Sequence, residues 1–178
     1  MDKIKQLTDE VAVSRNNYLQ RINAFTEKQA QWKPAPEVWN VIEITEHLFW
    51  AEQGGIVGMW KTLHAIREGR MARVTESSHK EMPVQQIIDL TWQAKEIVPP
   101  IAAPRFGGPI AFWHQSLASL QPLLELFAQD LEEIDLRTLA HPHPISGDMD
   151  YQQRFEFLAF HINRHAQQVD ALFEQIKA

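Results

Sequence analysis

The segment His161-Ile162-Asn163-Arg164-His165 sets two imidazoles four residues apart. On a helix such residues stand one above the other, roughly 5–6 Å apart at Cβ, and can converge on one ion at about 2.0–2.1 Å each. Phe157, Leu158, Phe160 and Ile162 make the surroundings apolar. Two imidazoles there lose solvation and repel each other when protonated, unless a divalent cation compensates. The pair alone is weak evidence, because eight histidines in 178 residues produce one such spacing by chance about one time in three. A third ligand has to come from another helix. His47, among Ile44, Leu48, Phe49 and Ala51, is the best placed; His64 and His79 fall near polar ends or loops, and His114, His141 and His143 are less readily placed.

Three neutral histidines leave an ion with at least one open position, a pattern of catalytic rather than closed structural sites. Such an ion could activate water near neutral pH or lower the pKa of a thiol. The chain has no cysteine, so a thiol would have to arrive on a cosubstrate. The same absence excludes disulfides, thiolate ligation and a cysteine nucleophile. Glu43, one turn before His47, is a candidate to support that ligand from behind, although its spacing from Asn40 fits a capping box better. Three imidazoles suit several metals, zinc and nickel foremost.

The elements that must position these residues read as helices. Ile4, Leu7, Val11, Tyr18, Ile22 and Phe25 recur at helical spacing and predict a first helix over 3–26. Pro34 and Pro36 predict an ordered loop over 27–40, pinned by Trp32 and Trp39. Asn40, with Glu43 three residues on, caps a second helix reaching about Arg67. Gly54, Gly55 and Gly58 within it either admit a close neighbour or permit a bend. A polar loop follows, and Pro83 opens a third helix, Val84 to about Ile97. Pro99, Pro100, Pro104, Gly107, Gly108 and Pro109 predict irregular chain. A fourth helix spans about Phe112 to Asp130, with Pro122 weakening or bending its middle. Residues 131–149 read as a loop, and the last helix runs from about Asp150 to Ile176. The expected fold is all-α, an antiparallel four-helix bundle with long connecting loops, forming a single domain over 1–178. Phe49, Trp50, Trp113 and Phe160 read as core packing rather than ligand contacts.

Composition narrows the partners. A net charge of −6 without a basic stripe argues against nucleic acid as a partner, and Arg67, Arg70 and Arg73 read as a solvated helix end. No apolar run is long enough to span a membrane, and the first residues do not resemble a signal peptide, so a cytoplasmic protein acting on a small molecule is expected.

The segment Trp32-Lys33-Pro34-Ala35-Pro36-Glu37-Val38-Trp39-Asn40-Val41-Ile42-Glu43-Ile44-Thr45-Glu46-His47-Leu48 resembles the first motif of the DinB-like superfamily. That motif is a Trp-x-Pro stretch, a second Trp and a capped helix carrying Glu-His-Leu. The turn His143-Pro144-Ile145-Ser146-Gly147, followed by a helix with His161-Ile162-Asn163-Arg164-His165, looks like the second motif. Their order and separation also match; residues 65–140 carry no comparable signature. The resemblance implies a DinB-like bundle whose metal ligands are His47, His161 and His165. Arg164 matches the pattern and would make a salt bridge or contact a substrate anion. His143 matches a turn position and would bond backbone near the start of the last helix. Relatives include transferases using low-molecular-weight thiols, putative metal-dependent hydrolases and proteins without a known reaction. The implied function is therefore a metal-dependent transferase adding a small thiol cosubstrate to an electrophile. The alternatives are a hydrolase using metal-activated water and a non-catalytic metal-binding stress protein. A homodimer is compatible with the resemblance.

Overall fold

Apolar residues at three- and four-residue steps build the long helices of the computed structural model, which describes residues 3–73, 77–93 and 98–177. Helix α1 (Lys3–Ile22) buries Ile4, Leu7, Val11, Tyr18 and Ile22, and α7 (Tyr151–Lys177) buries Phe155, Leu158, Ile162, Val169 and Leu172. Between them in sequence come α2 (Glu27–Ala30), α3 (Val41–Arg67), α4 (Val84–Thr91), α5 (Ile110–Ala118) and α6 (Leu120–Gln129). One apolar core joins α1, α3, α5, α6 and α7. Burial of these side chains, not local propensity, is what holds helices of this kind together. Among the described residues no helix is long and apolar enough to cross a membrane.

Directions follow from the cross-links. Tyr18 bonds Thr45 and Arg15 bonds Glu52, so α1 and α3 are antiparallel. His47 meets His161 while the Tyr151 hydroxyl donates to the Met59 carbonyl, so α3 and α7 are antiparallel too. Trp50 packs on Trp113 and Trp60 on Phe127, which makes α3 parallel to α5 and α6. Asn163 bonds Ser14 and Arg21 bonds Asp170, making α1 parallel to α7. The order is up, down, down, up. The physical reason is that residues 105–107 bond Glu46 near the start of α3, so α5 begins at the same end as α3.

Several boundaries differ from the sequence expectation. The first helix stops at Ile22, and the loop after it contains α2, closed by a Thr26–Gln29 capping box. The third helix ends at Thr91, where Trp92 turns extended; its expected tail at 94–97 lies outside the described residues. The fourth helix breaks at Ser119, because Pro122 has no N–H to offer the Ala118 carbonyl four residues back. The segment 131–149 is not all loop: β1 (Ala140–His143) pairs antiparallel with β2 (Gly147–Asp150), after a 3₁₀ turn at Leu136–Thr138. Gly147 closes the turn at φ 71°, a conformation that favours glycine. Helix α3 is unbroken through its glycines. A Cβ on Gly58 would lie 2.4 Å from His141 Nε2, and one on Gly55 would lie 3.1 Å from an Arg154 nitrogen. These two positions admit side chains from the hairpin and from α7, whereas a Cβ on Gly54 would meet nothing within 4 Å.

Candidate metal centre

Two helix starts fix where the histidines fall. Asn40 Oδ1 accepts from Glu43 N at 2.9 Å, and Glu43 Oε2 accepts from Asn40 N at 2.9 Å, which sets the first turn of α3. The other oxygen of Glu43 accepts from Lys33 Nζ at 2.7 Å, so its bonds serve the cap and the preceding loop. On α7, Asp150 Oδ1 accepts from Gln153 N at 2.8 Å while Asp150 N donates to Gln153 Oε1 at 2.9 Å, the same reciprocal device.

The antiparallel packing of α3 on α7 then brings His47, His161 and His165 together. All three are buried, at 5–6% exposure. The Nε2 atoms of His47 and His161 are 3.3 Å apart, those of His165 and His161 are 3.0 Å apart, and one ligand atom from each residue lies within 4.8 Å of the others. Two nitrogens held at about 2.0–2.1 Å by a tetrahedral ion stand about 3.3 Å apart, so the spacing fits a shared divalent ion.

The protonation states suit ligation. His47 Nδ1 lies 2.9 Å from the Ala102 carbonyl, which can only accept, so the proton sits on Nδ1 and the Nε2 lone pair faces the cluster. His165 Nδ1 similarly donates to Gln168 Oε1 at 2.8 Å. Burial lowers the pKa of all three. In His161 the neighbouring His165 and His47 add to the effect, and it stays well below its ordinary value. His165 is lowered to about 3, by burial and then by His47, against the bond to Gln168. His47 is lowered by burial, with the Ala102 bond opposing. The cluster is therefore three neutral imidazoles at neutral pH, the form that binds metal.

Glu46, adjacent to His47 in sequence, supports that ligand through a loop distant in sequence. It is fully buried, and its Oε1 accepts from Arg105 N at 2.7 Å, Phe106 N at 2.9 Å and Trp50 Nε1 at 3.2 Å, while Oε2 accepts from Gly107 N at 2.9 Å. Desolvation would raise its pKa, but the three backbone bonds and the Trp50 bond hold it below the ordinary value. The carboxylate thus clamps the loop whose Ala102 carbonyl orients His47. An acid inside the apolar run Ile44-Thr45-Glu46-His47-Leu48 was the available signal, and Gln168, three residues after His165, was another.

The remaining residues sort plainly. Arg164 lies over the Trp92 ring at 5.2 Å, and its positive charge helps hold His161 and His165 neutral. His143 Nδ1 accepts from Ile145 N at 3.3 Å and Ser146 N at 3.1 Å, so it bonds backbone within its own turn rather than at the start of α7. Phe157 stacks on His161 with centroids 5.4 Å apart, and Trp39 lies 5.1 Å from His47. Trp113 is buried in the core, with Phe49 and Trp50 packed against it, whereas Phe160 packs on the smaller cluster of Ile87, Met149 and Phe157. One surface groove of about 520 Å³ is lined by residues including Glu43 and Gly107, and another of about 570 Å³ by residues including Trp60 and His64. No histidine of the cluster lines either groove.

Comparison with known proteins agrees with this fold. A crystal structure of a conserved protein from Enterococcus faecalis is similar in fold, with a TM-score of 0.61 at 13% sequence identity, covering 97% of this chain and 95% of that one. No curated protein matches the chain significantly. The family model of the DinB superfamily matches residues 10–169, a span that contains both capped helix starts and all three clustered histidines. The chain belongs to the DinB superfamily.

Proposed function

We propose that this protein is a divalent-metal-dependent transferase that adds a low-molecular-weight thiol to an electrophilic small molecule. The observation that carries the metal part is the convergence of three buried, neutral Nε2 atoms on one point. When bound there, a zinc or nickel ion would supply Lewis-acid activation of a thiol or of water at its open position. The chain's own residues do the rest. Ala102 and Gln168 hold two imidazoles in the ligating tautomer, and Glu46 keeps the Ala102 loop in place. Phe157, Trp39 and Trp92 pack around the cluster and keep bulk water from its sides. The thiol part is supported by the family, and in a chain without cysteine that sulfur would come from a cosubstrate.

The test incubates metal-loaded protein with a panel of small thiols and electrophiles and follows loss of free thiol, with a His161→Ala variant as control. Acceleration above the control supports the transferase. Turnover of ester or amide substrates without any thiol would replace it with a hydrolase. Near-complete burial of the three histidines favours one further reading, a non-catalytic metal site that staples α3 to α7. That reading predicts strong destabilisation by chelators and no turnover with either panel.

A further inference from the structure

Among the described residues two arginines are buried in this bundle, and only one of them forms an ion pair. Arg15 is 1% exposed, donates to Glu52 Oε2 at 2.5 Å and also to Gln121. Arg154 is 5% exposed, yet its Nε and Nη1 have no hydrogen-bond partner. Among the described residues no carboxylate pairs with it. Among the described residues the carboxylate beside this group is Asp148, which acts on His141 and makes no ion pair with Arg154. His141 and His143 lie close enough for the guanidinium to lower their pKa values, to about 4 and about 3, after the larger effect of burial. Burial lowers Arg154 itself to about 10, which still leaves it cationic at neutral pH. The Phe157 ring, 5.9 Å from the guanidinium carbon, gives a cation–π contact but no counter-charge. A buried cation without a counter-charge is costly, and such groups persist where something else supplies it.

Its position suggests what does. Arg154, Leu158, His161 and His165 follow one another at steps of four, three and four on α7, so the guanidinium shares a helix face with the cluster. Two helical turns separate Arg154 from His161, roughly 10.5 Å along the axis at 1.5 Å per residue. On the facing helix the matching position is Gly55, whose missing side chain leaves room for Arg154 Nη2. We propose that Arg154 forms an anion subsite, which takes a carboxylate or phosphate group of a small molecule whose other end reaches the histidine cluster. The anion subsite stands on Arg154 alone; its assignment to the substrate rests on the metal-dependent reading above.

The experiment uses the full chain without metal. Succinate and inorganic phosphate are titrated at matched ionic strength, with chloride as reference, and binding is followed by calorimetry and by melting temperature. The expected result is saturable binding of one or both anions, weakened at least tenfold in Arg154→Met and retained in His161→Ala. The relative affinity of succinate and phosphate identifies which oxyanion the subsite takes. Arg154→Met should also melt at or above the wild-type temperature without anion, since it removes an unpaired buried charge while keeping most of the volume. A merely structural arginine would instead lose stability in that variant. Arg154→Lys keeps the charge but not the planar donors, and should bind more weakly than wild type while remaining folded. Absence of saturable binding in wild type, or equal affinity in Arg154→Met, would overturn the proposal. Loss of metal binding in His161→Ala with anion binding intact would leave the subsite standing whatever becomes of the metal chemistry.

Discussion

Replacing Glu46 with Gln keeps the size of the side chain and removes its charge. In the native chain one carboxylate serves four donors: Arg105 N, Phe106 N and Trp50 Nε1 on one oxygen, and Gly107 N on the other. A glutamine can point its oxygen at the first three, but its amide nitrogen then faces the Gly107 N–H. Three charge-assisted bonds become neutral, a loss of about 1 kcal/mol each, and one orphaned amide adds about 1–3 kcal/mol. The total of about 4–6 kcal/mol exceeds what one loop is expected to withstand, so the segment 102–107 should detach locally before the bundle unfolds. Ala102 then releases His47 Nδ1, and loss of such an orienting bond typically lowers metal affinity 10–100-fold. The assay is calorimetric zinc titration at neutral pH, with amide hydrogen exchange reporting on residues 102–107. The sign with pH is also fixed. A depressed carboxylate pKa means that Glu46 stabilises the fold fully above its ordinary value of 4.5, and that this contribution is lost as pH falls through the lower folded value. The Gln variant should lack that acid-dependent component. Zinc affinity within twofold of wild type, with unchanged exchange in the loop, would refute the clamp.

Gly58→Ala forces a Cβ to within 2.4 Å of His141 and disturbs the Thr62–His141 bond, so a net loss of about 1–3 kcal/mol is expected despite better helix propensity. Gly54→Ala, with nothing within 4 Å, should stabilise by about 1 kcal/mol; urea denaturation of both reads the contrast, and equal effects would count against the close approach. Glu52→Ala strands the buried Arg15 guanidinium and should cost about 3–5 kcal/mol, whereas a double change to apolar residues should recover much of it. Below pH 6.5 the unfolded chain protonates His141, His143 and His165 while the native chain keeps them neutral until about pH 4, 3 and 3. Metal-free protein should therefore lose about 1.4 kcal/mol per pH unit for each, as seen in denaturation midpoints between pH 6.5 and 4. A flat profile over that window would contradict the buried, neutral state.

What the sequence made legible is local. The Asn40–Glu43 spacing gave the start of α3, the apolar periodicity of the last segment gave α7 to within a residue of each end, and Pro83 marked the start of α4. The histidine pair needed only helical spacing. The third partner needed a neighbouring helix, and His47 was singled out by its apolar context. What stayed hidden depends on partners distant in sequence. Glu46 looks like any helical acid until the loop 105–107 is folded onto it. The hairpin is hard to read because its strands are four residues long and the first carries Pro142, a residue that weakens any strand reading. Parallel packing of α3 with α6 follows from the docking of residues 105–107 on Glu46, which no periodicity reports.

His47, His161 and His165 are placed to hold one divalent ion between them. Elemental analysis of purified protein, reloaded with zinc or nickel and freed of excess, tests it most directly. Wild type should carry a stoichiometric ion, lost on changing any one of the three histidines to Ala while Arg164→Ala retains it. Protein that stays metal-free after reloading, or that keeps its ion when all three are replaced, would contradict it.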